Sequence, residues 1–435
     1  MGLLTGLAHF LSIFSLSVAV RFLNKEQISN IGKIDANILL VTSIIAFGLQ
    51  ISTTRDIALS DNWKATIKNT QSARFTLSLF LVAYGTVELL LTKSVSSLSY
   101  IIAPFIALNA DFALYGIGKP ITAAIFSFLK ILIPAASLIL ISIFLSDLTE
   151  VAYILGTVIG LVISGVLISR SLKSSYLQLL NKKFASIYLA NTKIGLASLS
   201  ITLLSLGQIA IAKYFCQDYI ITNAYTALKL YVLYRGAQRL IIQSFYRDIN
   251  DDRKSISLDN LGIIVGFLFF IVATVYSRPT ISILYGNEYL SSSTNLMILG
   301  AAALISSILT TGSPKLMLLK KDHEYFTSYV ISATVSIATT ICLSYTSYAN
   351  HGISIGIFLG ELCLFLLFTK YLGGKKHLYP RLVSTSIYII YLGVILYLTS
   401  FLNLPYIYTL ILTTALFGVG ALYLSNTVLN KLIKF

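Results

Sequence analysis

The sequence has few charged residues and no long polar segment. Only 11% of its 435 residues are charged and 56% are hydrophobic, whereas an average soluble domain carries about 25% charged residues. Most of this chain therefore meets lipid rather than water. The largest polar segment covers residues 247–259 (RDINDDRKSISLD), which leaves no room for a soluble catalytic domain or a large extracytoplasmic loop.

Residues that build disulfide, metal and nucleotide sites are also scarce. The three cysteines, Cys216, Cys342 and Cys363, are scattered and odd in number, so no disulfide framework or zinc-ligand spacing is present. The four histidines form no cluster, and no Gly-x-x-x-x-Gly-Lys-Ser/Thr loop exists to cradle phosphates. We therefore expect neither an enzyme nor a bound cofactor, and ATP hydrolysis within this chain is excluded.

What the sequence does contain is a series of apolar runs long enough to cross a bilayer. The first of them lacks a basic n-region and a small-x-small cleavage site, so we expect a retained span rather than a signal peptide. A span needs about 20 mainly apolar residues, and hydropathy predicts fourteen such helices. Their predicted limits are 2–23, 36–58, 75–92, 98–118, 121–145, 149–169, 187–213, 218–244, 260–284, 292–319, 325–346, 350–371, 382–401 and 405–431.

Basic residues alternate between the loops. The even-numbered loops and the C-terminal end hold eighteen Lys and Arg residues, Arg74 and Arg381 among them, and the odd-numbered loops hold four. Those four are Lys25, Lys33, Lys93 and Lys213. Cytoplasmic loops retain Lys and Arg, so we expect both termini in the cytoplasm. The net charge of +15 is explained mainly by this topology beside anionic lipid, and nucleic-acid binding is not needed.

The two halves of the chain match each other at an offset of 192 residues. Arg55-Asp56-Ile57, at the end of span two, aligns with Arg247-Asp248-Ile249 at the end of span eight, and Arg21 aligns with Lys213. Six spans separate the copies, so both enter the membrane in the same direction. This pattern predicts a parallel repeat, a class that usually encloses a central site between two bundles that rock against each other.

Three stretches resemble bacterial oligosaccharide flippases. GLQISTTRDIAL (48–59), HFLSIFSLSVAVRFLNKEQIS (9–29) and PFIALNADFALYGIGKP (104–120) are similar to segments of the Wzx-type, or polysaccharide-transport, members of the multidrug/oligosaccharidyl-lipid/polysaccharide exporter (MOP) superfamily. The resemblance implies an all-α polytopic membrane protein of MATE-like fold. Its parts would be an N-lobe (1–185, spans one to six), a C-lobe (186–373, spans seven to twelve) and two C-terminal helices (374–435).

The same resemblance implies a function and a location. The cargo would be an oligosaccharide linked to undecaprenyl diphosphate, moved by alternating access from the cytoplasmic to the outer leaflet of a bacterial inner membrane, for O-antigen or other polysaccharide assembly. The bilayer would be a further partner, and the resemblance also admits a polysaccharide polymerase and a chain-length regulator. Nucleic acid is not an expected partner.

Ionisable side chains inside the spans are the candidate site residues. Each costs about 2.5–3.5 kcal/mol at the middle of a membrane helix, so such residues normally face a polar cavity. Seven basic residues are candidates for a cationic cleft that holds the diphosphate: Lys229, Arg235, Arg239, Arg55, Lys130, Arg21 and Lys193. Four acidic residues are candidates for coupling to a proton or sodium gradient: Asp111, Glu361, Glu88 and Asp56. The alternative is that these cations pair with Glu88, Asp111 or Glu361 and lock helices together.

Span eight, YTALKLYVLYRGAQRLIIQ (225–243), holds three of these cations. Arg235 and Arg239 lie four residues apart and share a helix face, and Lys229 widens the sector. Fixed cations hold a diphosphate and offset its desolvation, and Arg does so bidentately. Tyr225, Tyr231 and Tyr234 on the same helix are candidates for stacking against sugar rings, although membrane-interface belts account for most tyrosines.

The repeated Arg-Asp pair has two interpretations. Both copies lie at ends of spans predicted to be cytoplasmic, where an arginine serves as a topological anchor, and we favour that role for Arg247. Arg55 lies in the flippase-like segment beside Asp56, and we predict that it lines the inward-facing cleft and meets the diphosphate.

Three functions compete for this sequence. A flippase explains the repeat and the excess of in-span cations. A drug or cation antiporter of the same superfamily needs a cleft dominated by carboxylates. A membrane glycan polymerase or ligase is expected to carry a sizeable extracytoplasmic loop, which is lacking. We therefore favour the flippase, with the antiporter as the alternative.

Overall fold

The computed structural model describes residues 2–59, 62–176, 178–402 and 404–425. Across these residues the chain is helical and contains no β-strand, as the apolar spans predict. By contacts within the chain it divides into two compact units, unit 1 (Met1–Tyr225) and unit 2 (Thr226–Phe435). The division into 1–185, 186–373 and 374–435 stays a prediction.

Unit 1 contains twelve helices among its described residues and the start of a thirteenth. Their bounds are α1 (Gly2–Ala19), α2 (Lys25–Ala46), α3 (Leu49–Leu59), α4 (Trp63–Thr92), α5 (Leu98–Ile101), α6 (Ala103–Ala107), α7 (Asp111–Gly116), α8 (Pro120–Phe144), α9 (Thr149–Leu172), α10 (Phe184–Ala190), α11 (Thr192–Leu203), α12 (Ile209–Ala212) and α13 (Asp218–Ser244). A buried cluster that includes Ile34, Tyr100 and Ile154 joins α2, α5 and α9.

Unit 2 continues α13 and adds eight helices within the described part of the chain. These are α14 (Asp252–Phe270), α15 (Ser277–Tyr285), α16 (Ser292–Ile308), α17 (Gly312–Leu318), α18 (Asp322–Ser344), α19 (Gly352–Tyr371), α20 (Lys375–Ser400) and α21 (Tyr406–Leu424). Phe267, Tyr388 and Phe417 pack together in its core. The last two helices are thereby packed against α14.

Length and composition make ten of the described helical segments capable of crossing a membrane, and two bent pairs raise that number to twelve. The two remaining predicted spans correspond to α1, which has a shorter apolar stretch (Gly6–Ala19), and to α13, a 27-residue helix with charged residues. The chain is a multi-pass membrane protein, and the predicted all-α polytopic class is confirmed.

Several predicted limits were wrong because polar and charged residues beside the apolar runs belong to the helices. Helix α2 begins at Lys25 rather than 36, since Asn24 caps it in a reciprocal capping box with Gln27. Helix α4 begins at Trp63 rather than 75, and α20 at Lys375 rather than 382. Arg74 and Arg381, assigned to loops, therefore lie in helices, and both are only 1% exposed.

Two spans of unit 1 are interrupted where they pack on each other. Between α2 and α3, Phe47 and Gly48 both have positive φ, 34° and 73°, a conformation that glycine adopts without steric cost. A Cβ atom on Gly195 of α11 would lie 2.3 Å from the Phe47 ring, so only glycine admits this approach. Farther along the same span, α11 and α12 meet at an 85° bend.

Candidate functional site

A buried carboxylate, Glu361 of α19, anchors the candidate site in unit 2. Its Oε1 lies 3.2 Å from Nη1 of Arg235 and accepts a hydrogen bond of 3.1 Å from the Tyr231 hydroxyl. The Glu361 side chain is 1% exposed and that of Arg235 is 23% exposed. Much of the charge of Arg235 is therefore compensated within the unit, while its side chain stays partly exposed.

The other cations of α13 lie in different surroundings. Lys229 is buried, at 9% exposure, and Arg239 is exposed. Nη1 of Arg235 also donates to Oε1 of Gln238 at 3.4 Å, and Gln238 donates onward to Thr310 at 3.4 Å. The three cations of α13 therefore differ in exposure, since Lys229 is buried, Arg235 is partly exposed and Arg239 is exposed. They do not form a uniform cationic sector.

The three candidate tyrosines of α13 lie in the interior. Tyr231 and Tyr234 are buried and their rings pack against Phe269, with centroids 6.4 and 5.2 Å away. The Tyr234 hydroxyl donates to the carbonyl of Ala303 at 2.7 Å. In unit 1, Tyr225 is also buried and donates to Oδ2 of Asp35 at 2.6 Å. The faces of these three rings contact protein, so within the described residues they offer no open face to a sugar ring. The stacking role stays a prediction.

In unit 1, Asp111 and Lys130 are brought together. Asp111 is the first residue of α7 and Lys130 lies in α8, and their Oδ2 and Nζ atoms are 2.5 Å apart with both side chains 19% exposed. Oδ1 of Asp111 also accepts from the amide of Phe112 at 3.0 Å. This contact is of the helix-locking kind that the sequence left open as an alternative.

Glu88 pairs with Lys213, a residue predicted from the sequence to lie in a loop. Its Oε1 accepts from Nζ of Lys213 and from the Tyr214 hydroxyl, both at 2.7 Å. The side chains of Glu88 and Lys213 are 8% and 6% exposed. The Lys213 ammonium also lies 5.3 Å from the centroid of the Tyr100 ring. The pair links span three to the end of span seven within unit 1.

The remaining candidates are at the surface. Nε of Arg55 lies 3.5 Å from Oδ1 of Asp56, and these side chains are 71% and 53% exposed. Arg21 and Lys193 are exposed as well. The side chain of Arg247, the second copy of the repeated pair, lies outside what the structure describes.

Arg74, a buried cation of unit 1, was not singled out from the sequence. Arg74 of α4 donates through Nη1 to the carbonyl of Asn109 at 3.0 Å and through Nη2 to that of Ile106 at 3.3 Å. Its guanidinium carbon is 5.1 Å from the centroid of the Phe112 ring. Ile106 belongs to the end of α6 and Asn109 lies in the gap before α7, so Arg74 supports the short helix that begins with Asp111. A lone Arg among small polar residues before span three was the only signal.

A second missed group lies in unit 2. Asp259 of α14 is 0% exposed, and its Oδ2 lies 2.6 Å from Nε of Arg381. Its two oxygens accept from the amide of Thr311 at 2.7 Å and from the Thr311 hydroxyl at 3.0 Å. Both charged residues were assigned to polar segments beside spans, because hydropathy cannot tell a solvated charge from a buried pair.

No described group of three or more His, Cys, Asp and Glu side chains is arranged to hold a metal ion. Among the candidate cations, Arg235 combines a buried carboxylate partner with a side chain that is 23% exposed, and a guanidinium of this kind can also bind an anion.

The sequence matches no known protein-family profile and no curated protein. The fold, in contrast, resembles those of solved transporters. The lipid II flippase MurJ, in an inward closed conformation, superposes with a TM-score of 0.74 at 12% identity, over 100% of this chain and 99% of its own. An inward-facing multidrug resistance MATE family transporter of the MOP superfamily gives 0.61 at 13% identity, over 83% of this chain and 93% of its own.

A third similar structure is a MOP superfamily transporter from Pyrococcus furiosus, described as having a reversed polarity of its binding pocket. It gives a TM-score of 0.53 at 12% identity, over 85% of this chain and 92% of its own. At such identities the likeness establishes the fold, which is that of the MATE and MurJ transporters.

Proposed function

We propose that this protein is a flippase for oligosaccharides linked to undecaprenyl diphosphate, which it moves from the cytoplasmic to the outer leaflet of the bacterial inner membrane for O-antigen or capsule assembly. The observation that carries the proposal is the extent of the fold likeness. The match to a lipid II flippase takes in the whole chain, C-terminal helices included, whereas the match to the MATE transporter covers 83%.

The cations of α13 support an anionic cargo. A diphosphate carries about two negative charges, and Arg binds such groups through two parallel N–H bonds. Nη1 of Arg235 is taken by Glu361 and Gln238. With no further described partner, Nε and Nη2 are left for a phosphate. Arg239, which is exposed on the same helix, adds a second positive charge.

The Glu361–Arg235 pair suggests how transport is coupled to an ion gradient. The carboxylate and the incoming diphosphate compete for the same guanidinium. Protonation of Glu361, or binding of sodium beside it, would weaken its hold on Arg235 and favour cargo binding. Loss of that ion would restore the pair and expel the diphosphate. Tyr231 would continue to hold Oε1 in both states.

A reconstituted assay tests the proposal. Proteoliposomes carrying a labelled undecaprenyl-diphosphate oligosaccharide should translocate it with the intact protein, and Arg235→Ala and Lys229→Ala should each slow translocation at least tenfold, a loss of about 1.4 kcal/mol. Lys182→Ala, which removes an exposed loop cation, is the matched control. Full activity in both α13 variants would refute the cationic site.

A deletion strain separates the flippase from the polymerase. Loss of a flippase strands single lipid-linked units on the cytoplasmic side, whereas loss of a polymerase displays single units outside. Reporter fusions at the two termini would test the predicted cytoplasmic location of both. If single units were displayed outside in the deletion strain, the flippase assignment would fail.

The antiporter alternative rests on the likeness to MATE drug transporters. Against it, all four candidate carboxylates are paired with a cation in their own unit, Asp56 in an exposed pair and Glu361, Asp111 and Glu88 in buried or partly buried ones. A cationic drug would have to displace an existing partner at each of them. Raised drug resistance on expression, with surface glycan unchanged by deletion, would favour the antiporter instead.

A further inference from the structure

A groove of about 780 Å³ opens in unit 2 where α15, the start of α16 and the start of α21 come together. Its size falls within the roughly 300–1,000 Å³ of small-molecule sites. Much of its wall is apolar, and α21 closes one side with Pro405 and Tyr406. The apolar wall residues include Val275, Pro279, Ile283, Leu290, Met297 and Ile407. Such a wall suits a hydrocarbon chain better than a sugar.

One cation lies at this groove. Arg278, the second residue of α15, lines it and is exposed. Within the described part of the chain, no carboxylate lies within 4 Å of its guanidinium. Two of the polar residues along the groove are already engaged, since Ser282 donates to Oδ1 of Asn287 and Thr274 donates to the carbonyl of Met297. The groove therefore joins an apolar wall to a single cation that is free to bind an anion.

A π-helical segment shapes the groove. Residues Ile271–Val275 form it, and α15 starts anew after Tyr276. The Thr280 hydroxyl donates to the carbonyl of Val272 at 3.2 Å, a carbonyl within the π-helical segment. π-Bulges in α-helices are frequent at functional sites because they redirect side chains. Here the segment places Thr274 and Val275 on the wall of the groove.

The position of Arg278 is unusual for an anchor. It lies near the C-terminal end of span nine, which the charge bias of the loops predicts to be extracytoplasmic, where Lys and Arg are disfavoured. Topology therefore does not explain this cation. A negatively charged headgroup at the membrane interface would explain it, because a guanidinium forms charge-assisted hydrogen bonds with phosphate oxygens.

We propose that this groove binds one anionic phospholipid of the bilayer, with an acyl chain along the apolar wall and its phosphodiester at Arg278. The single cation matches the single negative charge of a phosphodiester such as phosphatidylglycerol. A diphosphate, with about two charges, would leave one uncompensated. The inference concerns a lipid that is not transported, and it stands or falls independently of the proposed function.

Native mass spectrometry of the full-length protein after detergent washing tests the inference. Dioleoyl phosphatidylglycerol and dioleoyl phosphatidylethanolamine, which share their acyl chains, are the two probes. The intact protein should retain one phosphatidylglycerol molecule in preference to phosphatidylethanolamine. Arg278→Ala should weaken phosphatidylglycerol binding about fivefold, a factor equivalent to roughly 1 kcal/mol, and Arg278→Lys should weaken it less because the charge stays.

Two further variants separate charge from shape. Ile283→Trp fills the groove while Arg278 is kept, and it should lower retention of both lipids. Arg253→Ala removes an exposed cation at the opposite end of the same span and should change nothing. Equal retention of the two lipids, or equal effects of Arg278→Ala and Arg253→Ala, would overturn the proposal. Displacement of the lipid by millimolar inorganic phosphate would also overturn it, since the site would then recognise a free anion.

Discussion

Spans four and ten are both interrupted. In each case a charged side chain from the preceding span forms hydrogen bonds with backbone groups at the interruption, but the two side chains have charges of opposite sign. In unit 1, Arg74 donates to carbonyls beside the gap between α6 and α7. In unit 2, Asp259 accepts from the Thr311 amide in the gap between α16 and α17. Irregular backbone at membrane depth is tolerated only where protein or water satisfies it, and both solutions meet that demand.

The sign of the charge decides which further partners the side chain needs. Arg74 is surrounded by carbonyl dipoles and an aromatic face, so that partial charges compensate it and the described residues place no carboxylate within 4 Å. Asp259 has only one amide and one hydroxyl, and it takes a full counter-charge from Arg381 of α20. In unit 1 the stabilising contacts of Arg74 stay between neighbouring spans three and four, whereas in unit 2 the Asp259–Arg381 pair also connects span thirteen to the rest of the unit.

The largest expected effect comes from breaking the ion pair of unit 2. Asp259→Ala leaves Arg381 buried without a counter-charge, and removing one partner of a buried pair costs about 3–5 kcal/mol. The melting temperature of the purified protein in detergent should fall sharply, and the yield with it. Asp248→Ala removes an exposed pair with Lys254 and should cost no more than about 1 kcal/mol.

A double variant sharpens that prediction. Asp259→Leu combined with Arg381→Met replaces both charges with apolar groups, which is often neutral or stabilising. It should recover much of the stability lost in Asp259→Ala, apart from the unsatisfied amide of Thr311. No recovery would mean that the pair is not the source of the loss.

Arg74→Leu should have the next largest effect. It leaves the Asn109 carbonyl without a described donor, whereas the Ile106 carbonyl keeps the amide of Asn109 at 3.2 Å, and an unsatisfied buried group costs about 1–3 kcal/mol. It strands no opposite charge, so its cost should stay below that of Asp259→Ala. Thermal unfolding of the two variants under one set of conditions compares them. A larger loss for Arg74→Leu would invert the proposed ranking of the two side chains.

The Asp111–Lys130 pair should contribute less, because both side chains retain 19% exposure. Hydrogen bonds between charged groups contribute about 1.5–3 kcal/mol, and partial hydration of the survivor offsets part of the loss, so Asp111→Asn should cost roughly 1–2 kcal/mol. A double-mutant cycle with Lys130→Met measures the coupling. A coupling energy near zero would mean that the two side chains act independently.

Arg55→Lys should have the smallest effect on stability, within about 0.5 kcal/mol, because exposed ion pairs contribute little. It keeps the topological charge but loses the planar fork that grips a phosphate. If Arg55 meets the diphosphate, translocation should fall while the melting temperature stays. Full transport activity in this variant would favour the anchor. Helix α3, which carries Arg55, packs on α7 through a 3.2 Å hydrogen bond from Thr54 to the carbonyl of Phe112.

The sequence singled out the charged residues of the Glu361–Arg235 and Asp111–Lys130 pairs, but it placed Arg74 and Arg381 in loops. Glu361, Arg235, Asp111 and Lys130 stood out because they interrupt apolar runs. Arg74 and Arg381 did not, because they lie among polar residues at span ends and read as loop charges. A hydropathy window averages over both faces of a helix, so it cannot distinguish a helix end that faces water from one that faces another helix.

The sequence by itself determined the class of this protein, since a chain that is 56% hydrophobic and 11% charged can satisfy its backbone in lipid only by folding into helices. It also determined which ionisable groups lie along those helices. Only the tertiary structure decided which charges pair, and it did so by bringing together residues far apart in the chain, such as Arg235 with Glu361 and Asp259 with Arg381. The interruptions within spans four and ten likewise depend on donors and acceptors from neighbouring helices, which no local pattern contains.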